Sequence, residues 1–247
     1  MSTRAAEAPL RVAIVGAEST GKSDLARALA DALAREFALR CGVVDEYLRH
    51  WCELHARTPR ADEQMGIARE HAARIAHTGA QPGLDVVICD TTPLMVAVYS
   101  DLLFDDRALE PVARACQQTM DVTLLTSLDL PWVADGLQRD GPHVRAPVDA
   151  LVRARLLAWG TPWSLVSGTG PARVASALDA LRPLLRDRAR QGRSSGLFSR
   201  LAGSLEGPPG PAWICERCDD PACEHLAKSG TRSDASMKNA GPSSGPA

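Results

Sequence analysis

The chain has 247 residues, a formal net charge of −2, 45% hydrophobic residues and 23% charged residues. That length supports one sizeable core plus an appendage, and the near-neutral balance excludes a global field that gathers nucleic acid or anionic lipid. No apolar run reaches the roughly 20 residues that span a bilayer, and the opening MSTRAAEAPL lacks the apolar stretch of a secretory signal, so a cytoplasmic protein with neither a membrane nor a nucleic-acid partner is expected.

Residues 1–9 read as a disordered tail. LRVAIVG, from Leu10, is a short apolar run ending in glycine, the pattern of a buried strand. GAESTGKS follows at residues 16–23 and fits G-x-x-x-x-G-K-[ST], the phosphate-binding loop of nucleotide-using enzymes. Gly16, Ala17, Glu18, Ser19, Thr20 and Gly21 would turn backbone N–H groups toward the phosphates. Lys22 would reach the β- and γ-phosphates, and Ser23 would ligate Mg²⁺. KSDLARALADALAREFA repeats Leu25, Leu29, Ala32, Leu33 and Phe37 at helical spacing. Its first turn would point the positive end of a helix at the anion. Strand, glycine loop and helix together are the context the motif requires.

CGVVDEY reads as a second strand with Asp45 and Glu46 at its end. In a kinase, a carboxylate here would orient the acceptor hydroxyl and take its proton; a pair of solvated charges opening a helix fits the residues equally well. Residues 60–78 are helix-prone. DVVICDTT is a third buried strand ending in Asp90. A carboxylate at the C-terminal end of a parallel strand lies at the ligand crevice, where it would partner the Mg²⁺; Asp90, Thr91 and Thr92 also suit the N-cap of the following helix. PLMVAVYSDLLF opens with Pro93, a helix-start signal. MDVTLLTS and WSLVSG are the fourth and fifth strands.

Between those strands, LDLPWVADGLQRDGPHVR (residues 128–145) is polar and punctuated by Gly and Pro, and carries Asp129, Trp132, Asp135, Arg139 and Arg145. It suits a lid that closes over phosphates and neutralises developing charge, or an exposed loop whose arginines pair with nearby aspartates. SGTGPAR (residues 167–173) follows the last strand, and its Gly168 is placed where nucleotide kinases border the base. PARVASALDALRPLLRDRAR is a final helix, bent or restarted near Pro183. Strands alternating with helices behind the phosphate loop predict an α/β fold over residues 10–190: a three-layer α/β/α P-loop NTPase with a parallel five-stranded sheet.

Residues 191–212 read as a linker and residues 228–247 as a disordered tail. Between them, WICERCDDPACEH supplies Cys215, Cys218, Cys223 and His225. This candidate Zn²⁺ set at 213–227 would hold one tetrahedral ion and fold a segment with no core of its own. A redox-active C-x-x-C and loosely ordered thiols are the alternatives. Cys41, Cys52, Cys89 and Cys116 lie among apolar neighbours and read as buried, inert thiols.

GAESTGKSDLA, VVDEYLR, VVICDTT and LLTSLDLPWVADGLQRD, in that order, resemble the ribosylnicotinamide kinase domain of NadR-type NAD-salvage proteins and the broader NadR-like P-loop ATPase family, over about residues 10–185. The resemblance implies a P-loop kinase, with an NTPase fold of nucleoside-kinase type, that uses ATP to phosphorylate a small nucleoside, ribosylnicotinamide. It places Gly16, Gly21, Lys22 and Ser23 on ATP and magnesium, and Asp90 on the magnesium side. It places Glu46 and Arg49 on the substrate side, and Asp135 and Arg139 in the lid. Lys22, Asp45 or Glu46, and Arg139 are the expected catalytic residues, with Trp132 and Asp135 beside the substrate. The competing function is a regulatory ATP-binding module that acts on a protein partner through the cysteine-rich tail.

Overall fold

The computed structural model describes residues 8–134 and 141–191. Asp135, Arg139 and the Cys215, Cys218, Cys223 and His225 cluster lie outside the described residues, as do the linker and the C-terminal tail.

Five parallel strands form one sheet: β1 (Leu10–Val15), β2 (Cys41–Val44), β3 (Val86–Asp90), β4 (Val122–Thr126) and β5 (Trp163–Val166), in the order β2-β3-β1-β4-β5. The nucleotide-loop strand β1 is therefore central, paired with β3 from Leu10↔Val86 to Ile14↔Asp90 and with β4 from Val12↔Val122 to Val15↔Leu125. Reversal of strand order on either side of β1 opens the crevice at its C-terminal end where ligands bind in such sheets. The three-layer α/β architecture predicted from the alternating pattern is the one observed.

Side-chain alternation along the strands separates two cores. Val12 and Ile14 of β1, with Ile88 and Leu124, pack under α1 (Lys22–Phe37) and α7 (Gly170–Gln191), whose Leu25, Leu29, Leu33, Leu181 and Leu185 point inward. Ala13 and Val15, with Val87, Cys89 and Leu125, face the other way. There they meet α3 (Ala61–Gly79), α4 (Pro93–Phe104) and α6 (Arg145–Ala158) through Ile75, Leu94, Met95, Val98, Val152 and Leu156. A third cluster joins α2 (Tyr47–His55) to α3, α4 and α5 (Glu110–Gln117) around Trp51, Ile67, Val96 and Leu109. α4 is apolar on nearly all sides because it is buried between these layers.

One ion pair within this second layer is itself buried. Arg155 of α6 donates to Asp101 of α4 at 2.6 Å and lies 3.1 Å from Glu110 of α5, while Arg107 reaches the other oxygen of Asp101 at 3.1 Å. The Arg155 hydrogen bond, against the cost of burial, holds the Asp101 carboxyl below the usual carboxylate range.

Of the bend or restart expected at Pro183, the restart is absent: α7 is one helix from Gly170 to Gln191 with Pro183 inside it, and inward packing of leucines on both sides of Pro183 outweighs the one backbone bond the proline removes. One local expectation is corrected. β2 stops at Val44, so Asp45 lies beyond the strand and Glu46 stands at the N-cap of α2. Among the described residues no helix is long and apolar enough to cross a membrane. Cys52, Cys89 and Cys116 are buried thiols and Cys41 is half-buried. Burial pushes Cys41 and Cys116 up to about 11 and Cys89 up to about 12, so none is a reactive thiolate at neutral pH.

Candidate functional site

The loop between β1 and α1 is shaped by two glycines. Gly16 has φ +149°, and the space a Cβ would fill is already taken by the Thr126 side chain and carbonyl at the end of β4. Gly21, at φ +71°, is the N-cap of α1 and offers no side chain to its first turn, leaving those N–H groups for a ligand. Between them the fully buried Thr20 donates its hydroxyl to the Ala17 carbonyl at 2.8 Å. Its hydroxyl also lies 2.7 Å from that of Thr126, which in turn reaches the Val15 carbonyl at 3.2 Å, so the two hydroxyl protons are shared among three contacts. The Lys22 ammonium folds back over the loop and donates to the Ala17 carbonyl at 2.8 Å.

Asp90 faces this loop from the end of β3. It is 3% exposed, lies beside the Ser23 hydroxyl, and its Oδ1 has no hydrogen-bond partner. Burial raises its pKa from the ordinary carboxylate value, against the pull of Ser23, Lys22 and Arg49. The helix-capping role open to Asp90, Thr91 and Thr92 falls to Thr92, whose Oγ1 accepts from the Leu94 N–H at 3.4 Å and donates to Gln117 at 2.8 Å. A buried carboxylate with an orphan oxygen beside a loop serine hydroxyl is an all-oxygen donor set suited to a hard divalent cation.

The residues expected on the acceptor side collect around Lys22. Glu46 caps α2 by position but makes no side-chain capping bond, and its side chain is 18% exposed. It lines, with Arg27, Arg49 and residues 19–24, a cavity of about 310 Å³, and with Glu18, Leu48, Arg49, Met95 and Tyr99 a smaller one of about 70 Å³. Lys22 and Ser19 line both. Asp45 lines neither cavity; it is 77% exposed and 3.9 Å from Arg27. Of the two carboxylates that the sequence leaves undecided, Glu46 is the one brought to the loop.

The stretch after β4 is bound to the same loop. Trp132 Nε1 donates to Glu18 at 3.2 Å, and the Val133 N–H donates to the Ser19 hydroxyl at 2.7 Å. Arg145, at the start of α6, donates to the Leu130 carbonyl at 2.8 Å. Asp129 takes the Gly168 N–H at 2.6 Å and an Arg173 Nη1–H at 2.7 Å. Burial works to raise Asp129, but the hydrogen bonds from Arg173 and the Gly168 N–H overcome it and hold the carboxyl well below the usual carboxylate range. Beyond Leu130 a groove of about 660 Å³ opens between α1 and α7, running from Gly21 and Asp24 past Pro171 to Leu178 and Arg182.

The octet, Asp90, Glu46, Arg49 and Trp132 are thus gathered at one end of the sheet, with Gly168 at the margin through Asp129. Arg173 and Thr126 belong to the same assembly and carry no sequence signal of their own; each acts on a residue more than a hundred positions away in the chain or at its far end.

Residues 11–173 match the AAA domain family, and the chain belongs to that family. No curated protein matches it significantly. Among solved structures, a NadR protein in complex with NR superposes with a TM-score of 0.58 at 21% identity, over 71% of this chain and 50% of that one. A thymidylate kinase from Ehrlichia chaffeensis superposes with a TM-score of 0.52 at 14% identity, over 72% of this chain and 100% of that one. This chain therefore spans half the length of the NadR chain. At these identities the likeness is one of fold: a P-loop nucleotide-binding domain of the kind found in nucleotide kinases.

Proposed function

We propose that the protein is an ATP-dependent kinase acting on the hydroxyl of a small molecule, with ribosylnicotinamide or a similar nucleoside as acceptor. The observation that carries this reading is the placement of Glu46: it shares two cavities with Lys22 while Asp45 turns to solvent. A site built only to sense nucleotide does not need a shielded carboxylate on the far side of the phosphate lysine. In the proposed step the acceptor oxygen forms a bond to the γ-phosphorus, the bond from that phosphorus to the bridging oxygen of ATP breaks, and ADP leaves. Glu46 takes the hydroxyl proton. Lys22 neutralises the transferring group, Arg49 holds the acceptor beside Glu46, and the backbone N–H groups of residues 16–21 hold the remaining phosphates. Ser23 and Asp90 would hold Mg²⁺, which supplies charge neutralisation at the phosphates. Trp132 is assigned to the acceptor side, and Asp135 and Arg139 to the continuation of the segment that Trp132 begins. The groove past Leu130 and Pro171 is assigned to the nucleotide base.

The test is turnover of purified protein with ATP and Mg²⁺ against a nucleoside panel that includes ribosylnicotinamide. Acceptor phosphorylation that falls by about a hundredfold or more in Lys22→Ala supports the proposal. ATP binding without phosphorylation of any acceptor would sink it in favour of a regulatory nucleotide-binding module.

A further inference from the structure

Arg173 occupies the first turn of α7, is 4% exposed, and spreads its guanidinium across three segments that are far apart in sequence. Nη2 donates to the Thr20 carbonyl in the phosphate loop at 2.9 Å and lies 3.3 Å from the Ser127 carbonyl at the exit of β4. Nη1 donates to Asp129 at 2.7 Å and to the Gly168 carbonyl at 2.6 Å. Asp129 in turn accepts the Gly168 N–H, which closes a ring of hydrogen bonds around the loop that follows β5.

We propose that Arg173 is a positioning residue that locks the phosphate loop, the β4 exit segment and the loop after β5 into one unit, so that the nucleotide meets a preformed site. The chemistry favours this over a simple packing role. A peptide unit in the phosphate loop must face its N–H to the ligand, and its carbonyl then points the opposite way, into protein; Arg173 receives the Thr20 carbonyl there. A buried guanidinium is costly unless its charge is met, and Asp129, itself tied to the loop after β5, meets it. The planar fork reaches Thr20, Gly168 and Asp129 at once, which the single point charge of a lysine cannot do. Preformed donors add to affinity by lowering the ordering cost of binding. The inference rests on the nucleotide-binding reading of the loop, and the test separates the two.

Arg173→Lys is compared with wild type by amide hydrogen exchange without nucleotide, by thermal melting, and by calorimetric titration with Mg²⁺-ATP. The expected result is exchange at least about tenfold faster at residues 17–21, 127–129 and 167–169, with the amides of β1 and β3 unchanged. The melting temperature should change little, and the Kd for Mg²⁺-ATP should rise at least about tenfold. Asp129→Asn, at a more exposed position, removes the counter-charge and one of the two acceptor oxygens used by Arg173 and the Gly168 N–H, while leaving Arg173 its Thr20 and Gly168 carbonyls; it should give a smaller effect in the same three segments, and it carries the test should Arg173→Lys fail to fold. Unchanged exchange in the three segments, or faster exchange with an unchanged Kd, overturns the proposal. Failure of the wild type itself to bind nucleotide would count against the nucleotide reading, and the exchange result alone would then decide whether the three segments are tethered.

Discussion

The indole of Trp132 donates to the Glu18 carboxylate at 3.2 Å, which sets an aromatic ring from the segment after β4 directly against the phosphate loop. Glu18 is 6% exposed, so the bond is made at the edge of the protein interior and not across open solvent.

Nucleotide entering that loop will change the surroundings of Trp132. Of the other tryptophans among the described residues, Trp51 and Trp159 pack in the helical layer on the other side of the sheet from α1, and Trp163 lies at the edge strand; Trp213 lies outside the described residues. The intrinsic fluorescence of the wild type should therefore shift on titration with Mg²⁺-ATP, and Trp132→Phe should lose most of that shift. An undiminished shift in Trp132→Phe would show that a different tryptophan senses the ligand.

Asp90 is expected to trade stability for chemistry. Burial raises its folded pKa above the unfolded value, so its ionised form is a cost to the nucleotide-free fold at neutral pH, and that cost disappears as pH falls through the folded pKa. Asp90→Asn should melt at a higher temperature than wild type at neutral pH, with the gap closing in acid. Magnesium-dependent phosphoryl transfer should fall by about a hundredfold or more. Thermal melts across pH and a turnover assay check the two halves independently.

Gly16→Ala should destabilise the protein by about 3 kcal/mol, combining a strained φ with overlap against Thr126. Urea unfolding measures this, and a change under about 1 kcal/mol would mean that the end of β4 yields easily. Because Thr126 also bonds Thr20, the same substitution should weaken nucleotide binding even in the fraction that folds.

His71 of α3 is fully buried with neither ring nitrogen hydrogen-bonded, and burial, aided by the charge of Arg74, pushes its pKa down to about 4. The fold holds it neutral, while the unfolded chain protonates it near 6.5. Its contribution is complete above about pH 6.5 and is lost as pH falls from there toward 4, amounting to roughly 3 kcal/mol. His71→Leu keeps the volume and removes the titration, so chemical denaturation between pH 7 and 4 should show a flatter decline than wild type. A slope identical to wild type would mean that other groups govern acid sensitivity.

Local pattern made the scaffold readable. Each of the five strands announces itself as a short apolar run, and the octet needs only its neighbouring strand and helix to be placed. Pro93 and Thr92 mark the start of α4 by their own chemistry. What the chain does not display is long-range closure. α5 is only eight residues long, too short for its apolar spacing to stand out, and is held by its neighbours in the third cluster; the choice between Asp45 and Glu46 depends on how the chain turns after Val44. Arg173 looks like any surface arginine at a helix start until the sheet brings Thr20, Asp129 and Gly168 around it. At Pro183 the sequence leaves a bend and a restart both open for the same reason, since packing on both of its sides decides whether the helix continues through it.

The contact between the Lys22 ammonium and the Ala17 carbonyl has a thermodynamic consequence. A phosphate arriving at that cation displaces a protein dipole as well as water, so binding is an exchange of partners within the loop. The affinity measured will be the difference between two contacts to the same charge. A change that loosens the carbonyl's hold on the ammonium, leaving the loop's shape intact, would strengthen nucleotide binding without adding any interaction to the nucleotide itself.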